Sequence, residues 1–230
     1  MNKDLPIIYE DNHLLVVNKP PGMLVQGDHT GDPSLVDHAK NYIKKKYHKP
    51  GNVYIGLPHR IDRPTSGIVI LAKTSKALSR LNKQFSSRET EKIYWAIVKK
   101  PLTNDAAELI HYLKKNQKKN KSFAYDKAIP EAKKAVLSFK KVAELKNYIG
   151  LSIDLSTGRH HQIRCQLATI GNPIKGDLKY GFPRSNPDGS IHLHARNMAL
   201  LHPVKKEKMS FQAGTPDDVL WKEMEKQVDS

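Results

Sequence analysis

Cysteine is almost absent from this chain: Cys165 stands alone in 230 residues, so no disulfide can close within it. A single thiol suits a reducing compartment and leads us to expect the cytoplasm. Long apolar runs are missing too. None approaches the ~18 residues of a membrane helix, and the opening MNKDLPIIYED lacks the apolar core of a secretion signal. Acidic residues are scarce beside basic ones, 23 Asp and Glu against 39 Lys and Arg, for a formal charge of +16. That excess asks for a polyanionic partner. With no basic amphipathic helix beside an apolar anchor, nucleic acid fits better than a membrane. Internal repeats are also lacking. The length suffices to bury a real core, as one domain or one domain with an extension.

What is present centres on His59-Arg60-Ile61-Asp62-Arg63-Pro64-Thr65-Ser66-Gly67. Apolar runs, Val53 to Leu57 and Ile68 to Ala72, flank it, and strand, polar loop, strand is the expected reading. Asp62 lies between two guanidiniums, which favour its ionised form. Pro64 removes a backbone donor and biases Arg63 towards extended geometry, while Gly67 permits a close backbone approach or a positive φ. Such a loop can mount a nucleophile or a general base. It can equally be a surface turn with solvated ion pairs.

Elsewhere, Ile7 to Glu10 and Leu14 to Asn18 read as a hairpin ended by Lys19-Pro20-Pro21-Gly22. Asp32 is expected to cap a helix with Pro33 in its first turn and with Leu35, Val36, Ala39, Tyr42 and Ile43 on one face. Lys44 to Lys46 would complement the end of that helix. Thr74 caps a second helix, buried through Ala77, Leu78, Leu81 and Phe85. Glu91 to Lys99, EKIYWAIVK, reads as a central strand covered on both faces. Ala106 to Leu113 and Ala135 to Leu145 are further strand candidates. Lys114, Lys115, Lys118, Lys119 and Lys121 lie between them, either as a solvated run or as a hairpin tip that grips phosphate. Tyr148 to Leu155 is a strand. A helix follows through Ile163, Leu167 and Ile170, with Gly171 at its end. Thr215-Pro216-Asp217-Asp218 opens a last helix, to be packed through Leu220, Trp221, Met224 and Val228. His160, His161, His192, His194 and His202 raise a metal reading, but they match no recognised ligand spacing.

HRIDRPTSG with IVILAK behind it resembles the signature loop of the RluA family of pseudouridine synthases, with Ile61 in place of the usual leucine. Further matches support the likeness. They are Asn18-Lys19-Pro20-Pro21-Gly22, the Lys92-x-Tyr94-x-Ala96 strand, and Thr157-Gly158-Arg159-x-His161-Gln162-Ile163-Arg164. After these come Gly171-x-Pro173-Ile174-x-Gly176-Asp177-x-x-Tyr180-Gly181 and a closing Leu193-His194-Ala195 with His202-Pro203. They run from about residue 7 to 203. Little room precedes them for the small RNA-binding domain of many relatives, so one stand-alone catalytic domain over 1–230 is expected. Lys99-Lys100-Pro101 replaces a family glycine, and Gln166 replaces a frequent histidine, a change expected to alter RNA contact more than chemistry.

The resemblance implies an α+β fold, a mixed, mainly antiparallel curved sheet with flanking helices. A central RNA-binding cleft would lie between the loop of Asp62 and the turn of Thr157 to Arg164. It implies isomerisation of uridine to pseudouridine in a structured ribosomal or transfer RNA, on a base taken out of its stack. Asp62 would be the catalytic carboxylate, Tyr94 would stack on the base, and Arg164 would pair with Asp62. His59, Arg60, Thr65, Arg159, His161 and Gln162 would contact substrate. No cofactor and no metal are expected, and the chain is expected to act as a monomer. The rival readings are an inactive basic RNA-binding or assembly factor on the same fold, and a metal-dependent nuclease.

Overall fold

The computed structural model describes residues 5–229. It is an α+β fold whose elements run β1 (Ile7–Glu10), β2 (Leu14–Lys19), α1 (Leu35–Lys46), β3 (Ser66–Ala72), α2 (Ser75–Ser87), β4 (Glu91–Lys99), β5 (Ala106–Asn116), β6 (Lys121–Tyr125), β7 (Lys133–Glu144), β8 (Tyr148–Asp154), α3 (Gln162–Thr169), β9 (Leu193–Leu201), β10 (Lys208–Gln212) and α4 (Val219–Val228). A short 3₁₀ turn, Leu178–Tyr180, follows α3. The chain divides into two compact units, one built from the residues up to Glu91 with Ala195–Gly214, the other from Lys92–His194 with the C-terminal residues.

In the first unit β2 pairs antiparallel with both β1 and β3, and β10 pairs antiparallel with β9. Leu14, Val16, Ile68 and Ile70 share one face of the sheet by strand alternation and bury the Ala77 and Leu81 stripe of α2. Thr74 caps α2 as expected, its hydroxyl accepting from the N–H of Ala77 at 3.1 Å. Val53 to Leu57, expected as a strand, is not one. Both edges of β3 are taken, by β2 and β9, so the segment makes a single bridge from Gly56 to Ala72.

The start of α1 also differs from expectation. Ser34 is the cap, not Asp32, because Ser34 has an acceptor three residues on and Asp32 has Leu35. The Asp37 carboxylate takes the Ser34 N–H at 2.9 Å, and the Ser34 hydroxyl faces the Asp37 N–H at 3.4 Å, a closed capping box.

In the second unit the strands lie in the order β4-β8-β7-β5-β6, every neighbouring pair antiparallel. β4 is buried along most of its length, as its apolar run implies. Trp95, Ile97, Ala143 and Leu145 take up Trp221 and Met224 of α4. Asp218 caps α4, not Thr215. Its carboxylate accepts from the N–H of Leu220 at 2.9 Å and faces His192 Nε2 at 3.0 Å, so the helix starts where the acid has two partners. The lysine-rich segment is a β5–β6 hairpin, and its alternation puts Leu109, His111 and Leu113 inward.

Glu10 ties the first unit together at one point. Tyr42 and Lys46 of α1 donate to its Oε2 at 2.8 and 2.6 Å, while Tyr47 and Lys73 donate to Oε1, each at 2.7 Å. Burial pushes its carboxyl up, but four donors outweigh burial and hold it down at about 2, against an ordinary 4.5. A depressed carboxyl supplies stability that is complete above its unfolded pKa and lost as pH falls through the folded one. Glu10→Gln should therefore cost on the order of 2 kcal/mol at pH 7. In urea unfolding, that difference from the parent should shrink as pH is lowered from about 5 towards 2.

Candidate active site

The loop of Asp62 is fixed by its neighbours in the first unit. Asp62 is half-buried, and its carbonyl accepts the N–H of Thr65 at 3.1 Å, closing a tight turn. Gly67 has φ 111°, and a Cβ there would lie 2.4 Å from the carbonyl oxygen of Ala195, so both permissions read from the sequence are used. His59 anchors the loop's start: its Nε2 accepts the Ile70 N–H at 2.9 Å, and its ring stacks on Phe85 at 4.6 Å. Arg60 is exposed and Thr65 is buried. Arg63 points back across the loop, with Nε on the Gly22 carbonyl at 3.0 Å and Nη2 on Asp32 at 2.7 Å. Asp32, released from the helix start, is thus part of the loop's bracing.

Beneath this loop lies Lys19, fully buried at the end of β2. Its Nζ donates to the carbonyls of Pro20 and Met23 at 2.9 Å each and of Arg63 at 3.2 Å. Burial pushes the ammonium down to about 7, with the Asp62 charge opposing that shift and the Arg63 charge adding to it. Three carbonyls match the three N–H bonds of a charged lysine and offset part of the burial cost. The Pro20-Pro21-Gly22 turn is bound to the same place, because the Gly22 N–H also donates to the Arg63 carbonyl, at 2.8 Å.

In the second unit the turn of Thr157 to Arg164 is closed by side chains. Gln162 Oε1 accepts from the Thr157 hydroxyl at 2.7 Å and from the Arg159 N–H at 3.0 Å, and Nε2 donates to the Val136 carbonyl at 3.1 Å. Arg159 donates from Nε to the Lys134 carbonyl at 3.1 Å. His161 takes φ 52° at the start of α3, stacks on His160 at 3.8 Å and faces the Tyr180 hydroxyl at 3.1 Å.

Arg164, only 4% exposed, makes a two-pronged pair with Asp177: Nε to Oδ2 at 2.7 Å and Nη2 to Oδ1 at 2.9 Å. Its guanidinium lies 5.1 Å from the centre of the Tyr180 ring. Burial holds the Tyr180 hydroxyl well above its ordinary range, and this oxygen accepts the Ser122 N–H at 2.8 Å. Ser122 in turn donates to the His160 carbonyl at 2.7 Å, which straps β6 to the turn. Tyr94 is buried on β4 opposite Ile153. Cys165 is buried, donates to the Ser122 carbonyl at 3.3 Å and is pushed up to about 11 by burial.

Gln166 corrects one expectation. It is fully buried and donates to the Leu109 carbonyl at 3.0 Å, so it braces α3 against β5 and cannot meet RNA. Two of the histidines face carboxylates: His192 lies 3.0 Å from Asp218, and His202 lies 2.8 Å from Asp11. Among the described residues there is no group of three or more His, Cys, Asp or Glu able to hold a metal, and no helix long and apolar enough to cross a membrane.

The same fold occurs in two solved human proteins, RNA pseudouridylate synthase domain containing 4 and domain containing 1. Their TM-scores are 0.77 and 0.72 at 22% and 21% identity, covering 97% and 92% of this chain and 93% and 84% of theirs. The fold class is therefore that of the pseudouridylate synthase domains. The family model for RNA pseudouridylate synthase matches residues 13–169. Among curated proteins, the dual-specificity RNA pseudouridine synthase RluA of Haemophilus influenzae is 35% identical over 212 residues, covering 91% of this chain and 92% of that protein. Ribosomal large subunit pseudouridine synthase D of Zymomonas mobilis is 31% identical, covering 94% and 72%. The chain belongs to the RluA family of RNA pseudouridine synthases.

Sequence reading passed over three residues with structural leverage on the site. Lys19 could have been noticed as a lysine ending a run of buried-type residues with no acid nearby in sequence. Asp177 lay inside a quoted motif but carried no partner. Ser122 had no distinguishing signal.

Two outcomes follow from these contacts. Below pH 7 Lys19 is charged in both states, and its burial cost is complete. Between about 7 and 10.5 the unfolded chain binds the proton more tightly, so the cost fades as pH rises. The parent should gain on Lys19→Met by up to about 1.4 kcal/mol per pH unit across that window, read by urea unfolding at pH 7 and 9. A pH-independent difference would show that Lys19 is not depressed. Separately, Asp177→Ala should lower stability by about 3–5 kcal/mol, the cost of breaking a buried two-pronged pair, measurable by denaturant unfolding at neutral pH.

Proposed function

We propose that Asp62 is the carboxylate with which this enzyme isomerises uridine to pseudouridine, in a structured ribosomal or transfer RNA of the cytoplasm. The observation that carries the assignment is the bracing of its loop. A half-buried carboxylate sits on a turn held by Lys19, Gly22 and Gly67, in the family's own signature sequence. A rigid mount keeps the reacting oxygen in place without reorganisation during the step. In the reaction the bond from uracil N1 to the ribose C1′ breaks, the uracil turns, and C5 bonds to C1′. C5 gives up a proton and N1 takes one, so atoms and electrons balance with no co-substrate.

Tyr94 is assigned to stack on the extruded uracil, and Arg164 to supply a fixed positive charge, its fork set by Asp177. Arg60, Arg159 and His161 are assigned to RNA contact. His59, Thr65 and Gln162, expected to touch substrate, are assigned to the same reading mainly through the loops they hold. A chain kept only as an RNA-binding factor would have no use for a mounted carboxylate.

Asp62→Asn preserves shape and removes the charged oxygen. Pseudouridine formation should fall below detection while RNA affinity and unfolding midpoint stay at the parent's values. Nucleoside mass spectrometry of RNA incubated with purified protein reads the first quantity, and turnover retained by Asp62→Asn refutes the assignment. Mapping pseudouridine across cellular RNA with and without the gene identifies the target.

A further inference from the structure

We propose that the outward face of β5, β6 and β7 is a stacking platform for an unpaired stretch of the RNA, an inference that rests on the RNA reading above. Strand alternation puts Phe123 and Tyr125 of β6 on one face, and both are left 37% and 39% exposed. Register places Tyr112 of β5 opposite Tyr125, and Lys114 opposite Phe123. On the other side of β5, Lys134 of β7 lies opposite Tyr112. The reverse face of these strands is closed by Leu113 and Ala135 packed with Cys165 and Tyr180, so the core does not use the outward aromatics.

Aromatic rings and lysines alternate on this surface. Lys121 Nζ lies 5.8 Å from the centre of the Phe123 ring and 4.8 Å from that of Tyr180 on the closed side, so it stands at the margin of the face, with Lys114 and Lys134 within it. Rings offer flat faces to bases of any sequence, and ammonium groups between them suit a phosphate backbone. Residues two apart on a strand stand ~6.7 Å apart, so Phe123 and Tyr125 can serve successive nucleotides, as sheet-borne aromatics do in other RNA-binding folds. A protein partner would gain little from so many lysines, whereas RNA complements them. Two acids bear on this face: Glu108 shares it further along β5, and Glu131 pairs with Lys114 at 2.6 Å, but that pair is exposed and weak enough for phosphate to displace.

The platform is also fixed and well placed. Ser122 straps β6 to His160, and Arg159 donates to the carbonyl of Lys134, so the Thr157 to Arg164 turn adjoins the rim of this face. RNA held at that turn can continue across the strands.

The test uses the full chain and a short fluorescein-labelled single-stranded oligouridylate, with a duplex RNA of equal length as control. Phe123→Ala and Tyr125→Ala should each weaken oligouridylate binding about five-fold or more and leave duplex binding little changed. Phe123→Leu keeps apolar area but not the ring and should bind as weakly as Phe123→Ala. Unchanged affinity in folded variants overturns the proposal. So does recovery by leucine, which would mark the face as an apolar docking surface for protein. Ultraviolet cross-linking of the unsubstituted chain checks the same face without mutation. A uridine adduct on the peptide holding Phe123 and Tyr125 supports the platform, and adducts confined to other peptides overturn it. The two readings fail separately. If the chain makes no pseudouridine but Phe123→Ala still loses oligouridylate, the catalytic assignment falls and the platform stands. If Phe123→Ala binds like the parent while pseudouridine is made, the reverse holds.

Discussion

A buried ammonium supports the loop on which the chemistry depends. Lys19 lies beneath the Asp62 turn and binds the carbonyl of Arg63 together with those of Pro20 and Met23. Apolar side chains could fill that space, but they could not satisfy three inward-facing carbonyls, whose desolvation would then go uncompensated. The Pro20-Pro21-Gly22 turn and the Asp62 turn are thereby made one body. Arg63 adds a second tie across the same gap, and Asp32 closes it at the surface.

The second unit reaches a fixed turn by similar means. Gln162 satisfies three partners at the start of α3, and Arg164 and Asp177 hold each other by two parallel bonds. In both places hydrogen bonds from buried polar groups set backbone position more sharply than apolar contact can, since a hydrogen bond has a direction and packing does not. The glycines are placed on the same logic. Gly67 lets β3 pass so close to Ala195 that no side chain fits.

Much of this was legible in the sequence, for local reasons. β1, β2 and β4 have clear apolar patterns, and Thr74 precedes a clean helical stripe, so strand, helix and cap followed from period and capping chemistry alone. The two motifs pointed to Asp62 and to the Thr157 to Arg164 turn by resemblance. What was not legible depended on partners distant in the chain. Val53 to Leu57 has strand composition but finds the edges of β3 occupied. Asp32 looks like a cap until Arg63, some thirty residues away, takes its carboxylate. Gln166 looks like a surface variant of a histidine until β5 covers it. Lys19 is the sharpest case, because a lysine on a strand end is ordinarily solvated, and only the folded loop supplies its three acceptors.

The state of Cys165 has a practical use. Its thiol is buried against β6, engaged with the Ser122 carbonyl, and kept protonated at neutral pH. Thiol-directed reagents attack the exposed thiolate, so this sulfur is nearly inert to them in the folded chain. A cysteine introduced on the hairpin turn, at Lys118 for instance, would then be the one reactive thiol on the native protein. Site-specific dyes or spin labels could be attached there without first removing the natural residue, and a rise in labelling at Cys165 would itself report the opening of α3 from β6.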